Sequence, residues 1–410
     1  MTRVRSGKAA LAFIFVTVLL DVMALGMVAP VLPTLVTRFV GQTSTAAALY
    51  GLFNTVFALM QFFFSPLIGA LSDRFGRRPV ILASNLGLGL NYAMMAWAPN
   101  LQWLFVGRVI SGITGASYGA ASAYIADTTE PSERAHAFGL LGAAFGVGFV
   151  VGPAIGGMLS EFGPRLPFIV AGALSMANAL YGLLVLPESL PKDDRVGFTW
   201  RRANPVGALT LLRQHPELFG LAGVLFLSNL AQVSLPSTVV IYATHRYHWT
   251  ASSVGVTLAL VGVALIIVQV GVVGRFVRQF GNRAALVTGL LFGAFGLMIA
   301  GLADTGTRFW FGIPIIALWG LAGAAGQGLM TARVSNSEQG QLQGALASLT
   351  GIAELIGPSI FTLTLAYYIR PGAPPDQAGA PFLLAAGILS AAAVWAVVAT
   401  RRRTPSPPQD

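Results

Sequence analysis

The sequence predicts an all-α membrane protein with twelve transmembrane helices in two pseudo-symmetric six-helix bundles. Three observations carry this. First, 55% of the 410 residues are hydrophobic and 10% are charged, where a soluble domain carries about 25% charged residues; that much apolar surface needs lipid as its solvent. Second, long apolar runs recur twelve times between charges and turn residues, each near the ~20 residues that a helix needs to cross a bilayer. Third, landmarks of the first half return in the second at an offset of 205 residues.

The runs fall at about 10–33, 47–70, 79–98, 101–126, 137–160, 165–186, 218–241, 252–274, 284–303, 309–333, 341–368 and 380–400. They are too long and too uniformly apolar for barrel strands, which alternate over about 10 residues. The first begins like a signal peptide, with Arg3, Arg5 and Lys8 ahead of Leu11. It continues apolar to about Leu32, broken by Asp21 alone, which is too long for a cleaved core. It is therefore expected to stay as the first helix.

Basic residues orient the chain. With the N-terminus inside, nineteen of the 25 lysines and arginines face the cytoplasm and five face outward, with Arg108 inside helix 4. Both termini are expected in the cytoplasm. The net charge of +10 thus follows from topology, and nucleic acid is not an expected partner. Residues 187–217 form the longest polar stretch, on the inner side. They divide the chain into a first bundle (1–186), a cytoplasmic linker (187–217), a second bundle (218–403) and a short tail (404–410).

The internal echo has two ordered sets. Gly69, Phe75, Gly76 and Arg78 return as Gly274, Phe280, Gly281 and Arg283. Gly139, Gly146, Gly152 and Pro153 return as Gly344, Gly351, Gly357 and Pro358. Parallel six-helix repeats of this kind belong to transporters whose binding site lies between the halves.

The turn between helices 2 and 3 reads Gly69-Ala-Leu-Ser-Asp73-Arg74-Phe-Gly76-Arg77-Arg78. Gly69 is expected to let helices approach closely and Gly76 to permit a tight turn. Asp73 and the arginines can form ion pairs that lock one state and release in another. This segment resembles the signature loop of the major facilitator superfamily. Leu20-Asp21 through Pro33, Gly107-Arg108 through Ala116, Ile125-Ala-Asp127-Thr and Gly152-Pro153 through Gly157 are similar to its drug/proton antiporter branch. Over nearly the whole chain, including Gln339 through Gly344, the sequence resembles bacterial tetracycline/proton antiporters.

The resemblance implies the major facilitator fold, a bacterial inner-membrane location and proton-coupled efflux of small hydrophobic drugs or metabolites. A symporter or facilitator for a small nutrient is the alternative on the same scaffold. It implies a conformational switch in Gly69, Asp73, Gly76, Arg77, Arg78 and Asp127, with Gly152 and Pro153 marking antiport. There are departures. Asn91 and Gly293 stand where the family carries aspartates in helices 3 and 9, and Leu265 where it carries a histidine in helix 8. These groups serve metal–tetracycline recognition and proton coupling, so the departures point to a more apolar or unchelated cargo.

Two carboxylates remain deep in predicted helices, Asp21 and Glu354. A charge at the bilayer centre costs at least about 2.5–3.5 kcal/mol, so both are candidate proton sites. A structural ion pair is the alternative for each. Arg108 is either a charge partner of Asp21, an anchor for an anionic group, or an interfacial arginine reaching outward. Substrate-contact candidates are Asn54, Gln61, Asn91, Arg108, Tyr118, Asn229, Gln232, Gln269 and Gln327, each equally able to bond between helices.

Enzyme chemistry finds no support. Gly115-Ala-Ser117-Tyr-Gly119 has a nucleophile-elbow pattern but no preceding strand. The two lysines, Lys8 and Lys192, lie outside any phosphate-binding loop. No cofactor is expected beyond the proton gradient. Cysteine is absent, the four histidines make no metal cluster, and the working unit is expected to be a monomer.

Overall fold

The structure is a computed structural model that describes residues 2–115, 118–130, 133–195, 211–212, 215, 218–335 and 338–401. Helices dominate. In the first part of the chain they are α1 (Thr2–Val28), α2 (Leu32–Val40), α3 (Thr43–Phe75), α4 (Arg77–Ala96), α5 (Leu101–Thr114), α6 (Tyr118–Thr128), α7 (Arg134–Glu161) and α8 (Leu166–Val185). After the linker come α9 (Phe219–Gln232), α10 (Ser234–Tyr247), α11 (Ala251–Ile267), α12 (Gly274–Leu302), α13 (Gly306–Ala317), α14 (Gly320–Thr331), α15 (Gln339–Tyr368) and α16 (Ala380–Arg401). A π-helical turn, Val268–Val273, joins α11 to α12.

Ten stretches among the described residues are long and apolar enough to cross a membrane. One, Ala251–Leu302, runs 52 residues but turns at Gly281, whose φ of 79° and ψ of 164° are not helical. It is two crossings. A further crossing is the broken pair α5 and α6. The count is twelve.

The 205-residue echo is visible in the backbone. Gly76 (φ 105°) ends α3 and Gly281 (φ 79°) breaks α12. Both are left-handed positions that glycine adopts without steric cost. Helices 4 and 10 break at matching places, near Gly115 and Gly320. Pro153 and Pro358 both lie inside long helices, α7 and α15. In lipid, irregular backbone persists where neighbouring protein satisfies it.

The chain divides into two compact units. The first gathers Met1–Pro205, Val239–Gly262 and Ile369–Pro371; the second gathers Val206–Thr238, Val263–Tyr368 and Gly372–Asp410.

Within the first unit, α1 packs on α7 and α8, and α4 packs on α8. The α1–α7 contact rests on absent side chains. A Cβ at Gly148 would lie 2.9 Å from Val22 Cβ, and one at Gly152 would lie 2.7 Å from the Met23 carbonyl oxygen. Gly156 closes on Met27 in the same way. The spacing of four residues puts all three on one face. Pro153 and Gly157, on a neighbouring face, meet Gly255 and Ala251 of α11. A lower cluster of Phe13, Ile14, Val18, Ile81, Tyr124 and Leu141 joins α1, α4, α6 and α7. Gly69 does not have the expected role: a Cβ there would meet nothing within 4 Å. It lies on a face that no helix approaches, so close packing does not explain it.

In the second unit, α12 packs on α16, α14 and α13. Gly293 admits Trp319 and Leu389, whose carbons lie 2.8 and 2.9 Å from the position of a Cβ. Trp319 Nε1 donates to Ser228 Oγ at 2.9 Å, tying α9 to this contact. Below, Glu338 accepts hydrogen bonds from Ser335 N at 3.0 Å and Ser335 Oγ at 2.6 Å, with His215 Nε2 at 3.0 Å.

Two outcomes follow. Gly152→Val drives a side chain into backbone that cannot yield, at about 1–3 kcal/mol, so the purified protein melts at a lower temperature. Gly139→Val, where a Cβ meets nothing within 4 Å, does not. The hydrogen bonds to Glu338, with His215 beside it, hold its carboxyl at about 2, below its ordinary 4.5. Its contribution is therefore complete above that ordinary value and is lost as the pH falls toward 2. Melting curves between about pH 5 and about pH 3 should show a smaller acid-induced drop for Glu338→Gln than for the native chain.

Candidate functional site

The signature turn is a charge cluster. Arg77 opens α4 directly after Gly76, so its side chain folds back under α3. Its guanidinium pairs with Asp73, donates to Ser72 Oγ at 2.7 Å, and donates through Nε to Asp127 Oδ2 at 3.1 Å. Arg77 is 9% exposed, which weakens solvent screening of these bonds. Arg78 reaches the Leu183 carbonyl at 2.7 Å, linking α4 to the end of α8. Four residues expected in the switch, Asp73, Arg77, Arg78 and Asp127, thus meet at one end of the first unit.

The linker joins that cluster, which the sequence did not suggest. The Arg77 backbone N–H donates to Glu188 Oε1 at 2.9 Å. A carboxylate there satisfies an orphan donor at a helix N-terminus and suits its dipole. Glu188 also accepts from Leu190 N at 3.1 Å and lies 3.7 Å from Arg195. Ser189 Oγ donates to Asp127 Oδ2 at 3.1 Å. A Cβ at Gly76 would collide with Glu188, so glycine serves both the turn and the docked linker. The signal available was Pro187-Glu188-Ser189 at the end of helix 6, polar residues directly after an apolar run.

Asp21 lies mid-helix in α1, facing α8. Asn178 Nδ2 donates to Asp21 Oδ1 at 3.0 Å and to the Thr17 carbonyl at 3.0 Å. Asn178 is fully buried. It was not among the residues singled out from sequence, although an asparagine in an otherwise apolar helix was the available signal. Asp21 has no ion pair among the described residues.

Arg108 is buried rather than reaching outward. Its Nη2 donates to Asn54 Oδ1 at 2.9 Å, and its guanidinium lies 4.2 Å from the centre of the Phe57 ring. A cation over an aromatic face gains about 0.5–2 kcal/mol, more when desolvated. That contact, not a carboxylate, compensates the charge. Tyr92 of α4 is buried as well, at 2% exposed.

Asn91 is turned inward. Its Nδ2 donates to Ser111 Oγ at 2.7 Å and approaches Met95 Sδ at 3.7 Å. At 3% exposed, it ties α4 to α5 and offers little to a cargo. Gln61 flanks Gly115 of the broken helix 4. The side chain of Tyr118 lies outside the described residues.

In the second unit Asn229 Nδ2 donates to Thr350 Oγ1 at 2.9 Å, joining α9 to α15. Gln327 Nε2 donates to Gln343 Oε1 at 3.0 Å. Gln232, Gln269, Gln327 and Glu354 are exposed on helices that are otherwise apolar. A polar or ionised side chain at membrane depth is costly facing lipid, which sets these four apart from the apolar residues around them. Gln269 sits in the π-helical turn, a distortion frequent at functional sites. Glu354 lies three residues before Gly357, which packs on Val233.

The first unit therefore holds a carboxyl in a helix interface and an arginine caged by two carboxylates at one end. The second holds exposed polar groups on helices 7, 8, 10 and 11. Nothing here resembles a nucleophile–base pair, and the arrangement suits moving a solute rather than transforming one.

Comparison with known proteins agrees. The sequence profile of the Major Facilitator Superfamily matches residues 14–358. The chain is 40% identical over 356 residues to the class C tetracycline resistance protein of Escherichia coli, covering 86% of this chain and 89% of that protein. It is 36% identical over 356 residues to the class B protein of Escherichia coli, covering 85% and 86%. Among solved structures, a nucleoside transporter, NupG, superposes with a TM-score of 0.79 at 13% identity over 95% of this chain and 99% of its own. This chain is a transporter, not an enzyme, and it belongs to the major facilitator superfamily.

Proposed function

We propose that the protein exports a small hydrophobic drug or metabolite in exchange for protons, with Asp21 as the carboxyl that takes up and releases the coupling proton. The observation that carries this is Asp21 held by Asn178 within the α1–α8 interface, with no cation paired to it among the described residues. A carboxyl without a counter-charge can be neutralised by a proton, whereas one locked to arginine stays ionised. The names of the relatives in bacteria support tetracyclines as the first cargo to test.

In this reading Asn54, Gln61 and Arg108 contact cargo from the first bundle and Asn229, Gln232, Gln269 and Gln327 from the second, with Glu354 as a second proton site. Asn91 is assigned to helix packing. The bundles, 1–186 and 218–403, alternate between two states. Arg77, caged by Asp73 and Asp127, fastens one state and releases in the other. The protein works as a monomer in a bacterial inner membrane with both termini in the cytoplasm.

The test uses everted membrane vesicles with a pH-sensitive dye and a drug panel that includes tetracycline. Native protein should release protons when drug is added. Asp21→Asn should lose that response at least about tenfold, equivalent to ~1.4 kcal/mol, while still binding drug after purification. Proton release that survives Asp21→Asn removes Asp21 as the coupling group. A native protein that moves drug with no proton response is a facilitator. Arg77→Gln should slow turnover about tenfold or more, since bonds to a charged group are each worth about 1.5–3 kcal/mol. Gly293→Asp, which restores a family carboxylate, should give no gain in tetracycline transport and a lower melting temperature, because Trp319 occupies that space.

A further inference from the structure

Several buried polar atoms in the first unit have no hydrogen-bond partner, and four of them belong to neighbouring levels of three packed helices. They are Thr17 Oγ1, Asn85 Oδ1, Ser175 Oγ and Asn178 Oδ1. Their residues are 1%, 1%, 0% and 0% exposed.

Three helices bring them together. α1 and α4 run in one direction and α8 runs against them, so levels can be matched by contact. At the lowest level, Gly182 of α8 touches Phe13 of α1 and Leu82 of α4. One turn further into the membrane come Thr17, Asn85 and Asn178, with Asn178 bonded to the Thr17 carbonyl. One more turn brings Asp21 and Ser175, beside the contact of Gly89 with Met176 and Gly172. Thr17 and Asp21 are four residues apart, and Ser175 and Asn178 three. Each pair therefore shares a helix face.

A second feature separates these hydroxyls from the rest. Serine and threonine inside helices commonly bond back to a carbonyl of the preceding turn. Here Thr114, Thr128, Thr257, Ser348 and Thr362 all do so. Thr17 and Ser175 do not. Both hydroxyls are left without a partner within a turn of a carboxylate.

We infer that Thr17, Asn85, Ser175 and Asn178 form, around Asp21, an oxygen-lined site for a small hard monovalent cation. This rests on the reading of Asp21 as the coupling carboxyl and goes beyond it: the group that arrives is held by five side chains rather than by one. Every unpartnered donor in the set is oxygen, which suits hard cations and not soft ones. One carboxylate and neutral oxygens balance a single positive charge. Two cations fit that chemistry, a hydrated proton and sodium. The titratable or charged groups on the packed elements include Tyr92 on α4, Tyr124 on α6 and Tyr181 on α8, with Arg108 on α5. The elements packed here bring no second carboxylate to the site; Asp127 lies with Arg77 at the end of the unit.

The experiment follows the infrared band of the protonated carboxyl in purified, full-length protein titrated in sodium chloride and in choline chloride. Every chain carries Glu354→Gln, which silences the second proposed proton site, and is otherwise native, Asp21→Asn, Thr17→Val, Asn85→Leu, Ser175→Ala, or Ser390→Ala as a control on α16. The native band should vanish in Asp21→Asn. The pH at which it is half-developed should shift by about one pH unit, a tenfold change in affinity, in Thr17→Val, Asn85→Leu and Ser175→Ala, and stay in place in Ser390→Ala. If sodium is the occupant, the native midpoint differs between the two salts and the three variants lose that difference. If the occupant is the hydrated proton, the salts give one midpoint and the variants still shift it. A band that survives Asp21→Asn overturns the coupling reading. A band that vanishes there but holds its midpoint in all three cradle variants overturns the site alone. Melting curves of each variant separate a shifted midpoint from a misfolded chain.

Discussion

Hydrocarbon offers no hydrogen bonds, so a polar group carried into it must find its partner in the protein. That constraint organises the molecule more than packing does. It turns the backbone into helices, whose internal bonds satisfy every peptide group along their length. It turns Arg108 onto Asn54 and the Phe57 face, and Asn91 onto Ser111. It spends most helical hydroxyls on their own carbonyls. Against that background the groups left without partners gain meaning, because each costs about 1–3 kcal/mol where it stands. The oxygens of Thr17, Asn85, Ser175 and Asn178 are such groups. Function is found where the rule is relaxed.

The same constraint links the switch to the helix ends. Arg77 lies where α4 begins, at the edge of the apolar zone. There it bonds Asp127 and Ser72 and pairs with Asp73. Its own N–H, orphaned by the helix start, is satisfied by Glu188 from the linker. Releasing the guanidinium therefore disturbs a helix cap and a docked linker along with two ion pairs. Small bonds coupled in this way change together, which a two-state device requires.

The fold was legible because its signals are long and redundant. Twelve apolar runs, loop arginines and a repeat of glycines and prolines each point to one architecture, and Gly76 and Gly281 share a backbone conformation that only their alignment suggested. The clustering of Asp73 and Arg77 was legible from a contiguous motif. The rest required distance. Asn178 lies 157 residues from Asp21 in sequence, and Glu188 lies 111 from Arg77; no local pattern connects them. Gly69 shows the opposite failure. A glycine in a motif suggested a close approach, and the helix face it occupies has no neighbour. Arg108 stayed open between three readings in sequence, because the ring that stabilises it, Phe57, sits on another helix.

The lost carboxylates have a physical account. Where the resembled antiporters carry an aspartate in helix 9, Gly293 leaves a hollow that Trp319 and Leu389 fill, and Trp319 spends its N–H on Ser228. Where they carry one in helix 3, Asn91 is closed off by Ser111. Neither site has simply lost a charge; each has been rebuilt as packing, and reverting one residue would not rebuild a site. The negative charge at depth in the first unit is thereby concentrated on Asp21. In the proposed cation site, a single carboxyl gains from neutral oxygens around it, since they would hold a cation without fixing a counter-charge in place. The surplus of unpartnered oxygens at Thr17, Asn85, Ser175 and Asn178 is then the counterpart of the deficit at Asn91 and Gly293: charge given up in helices 3 and 9, polarity retained between helices 1, 3 and 6.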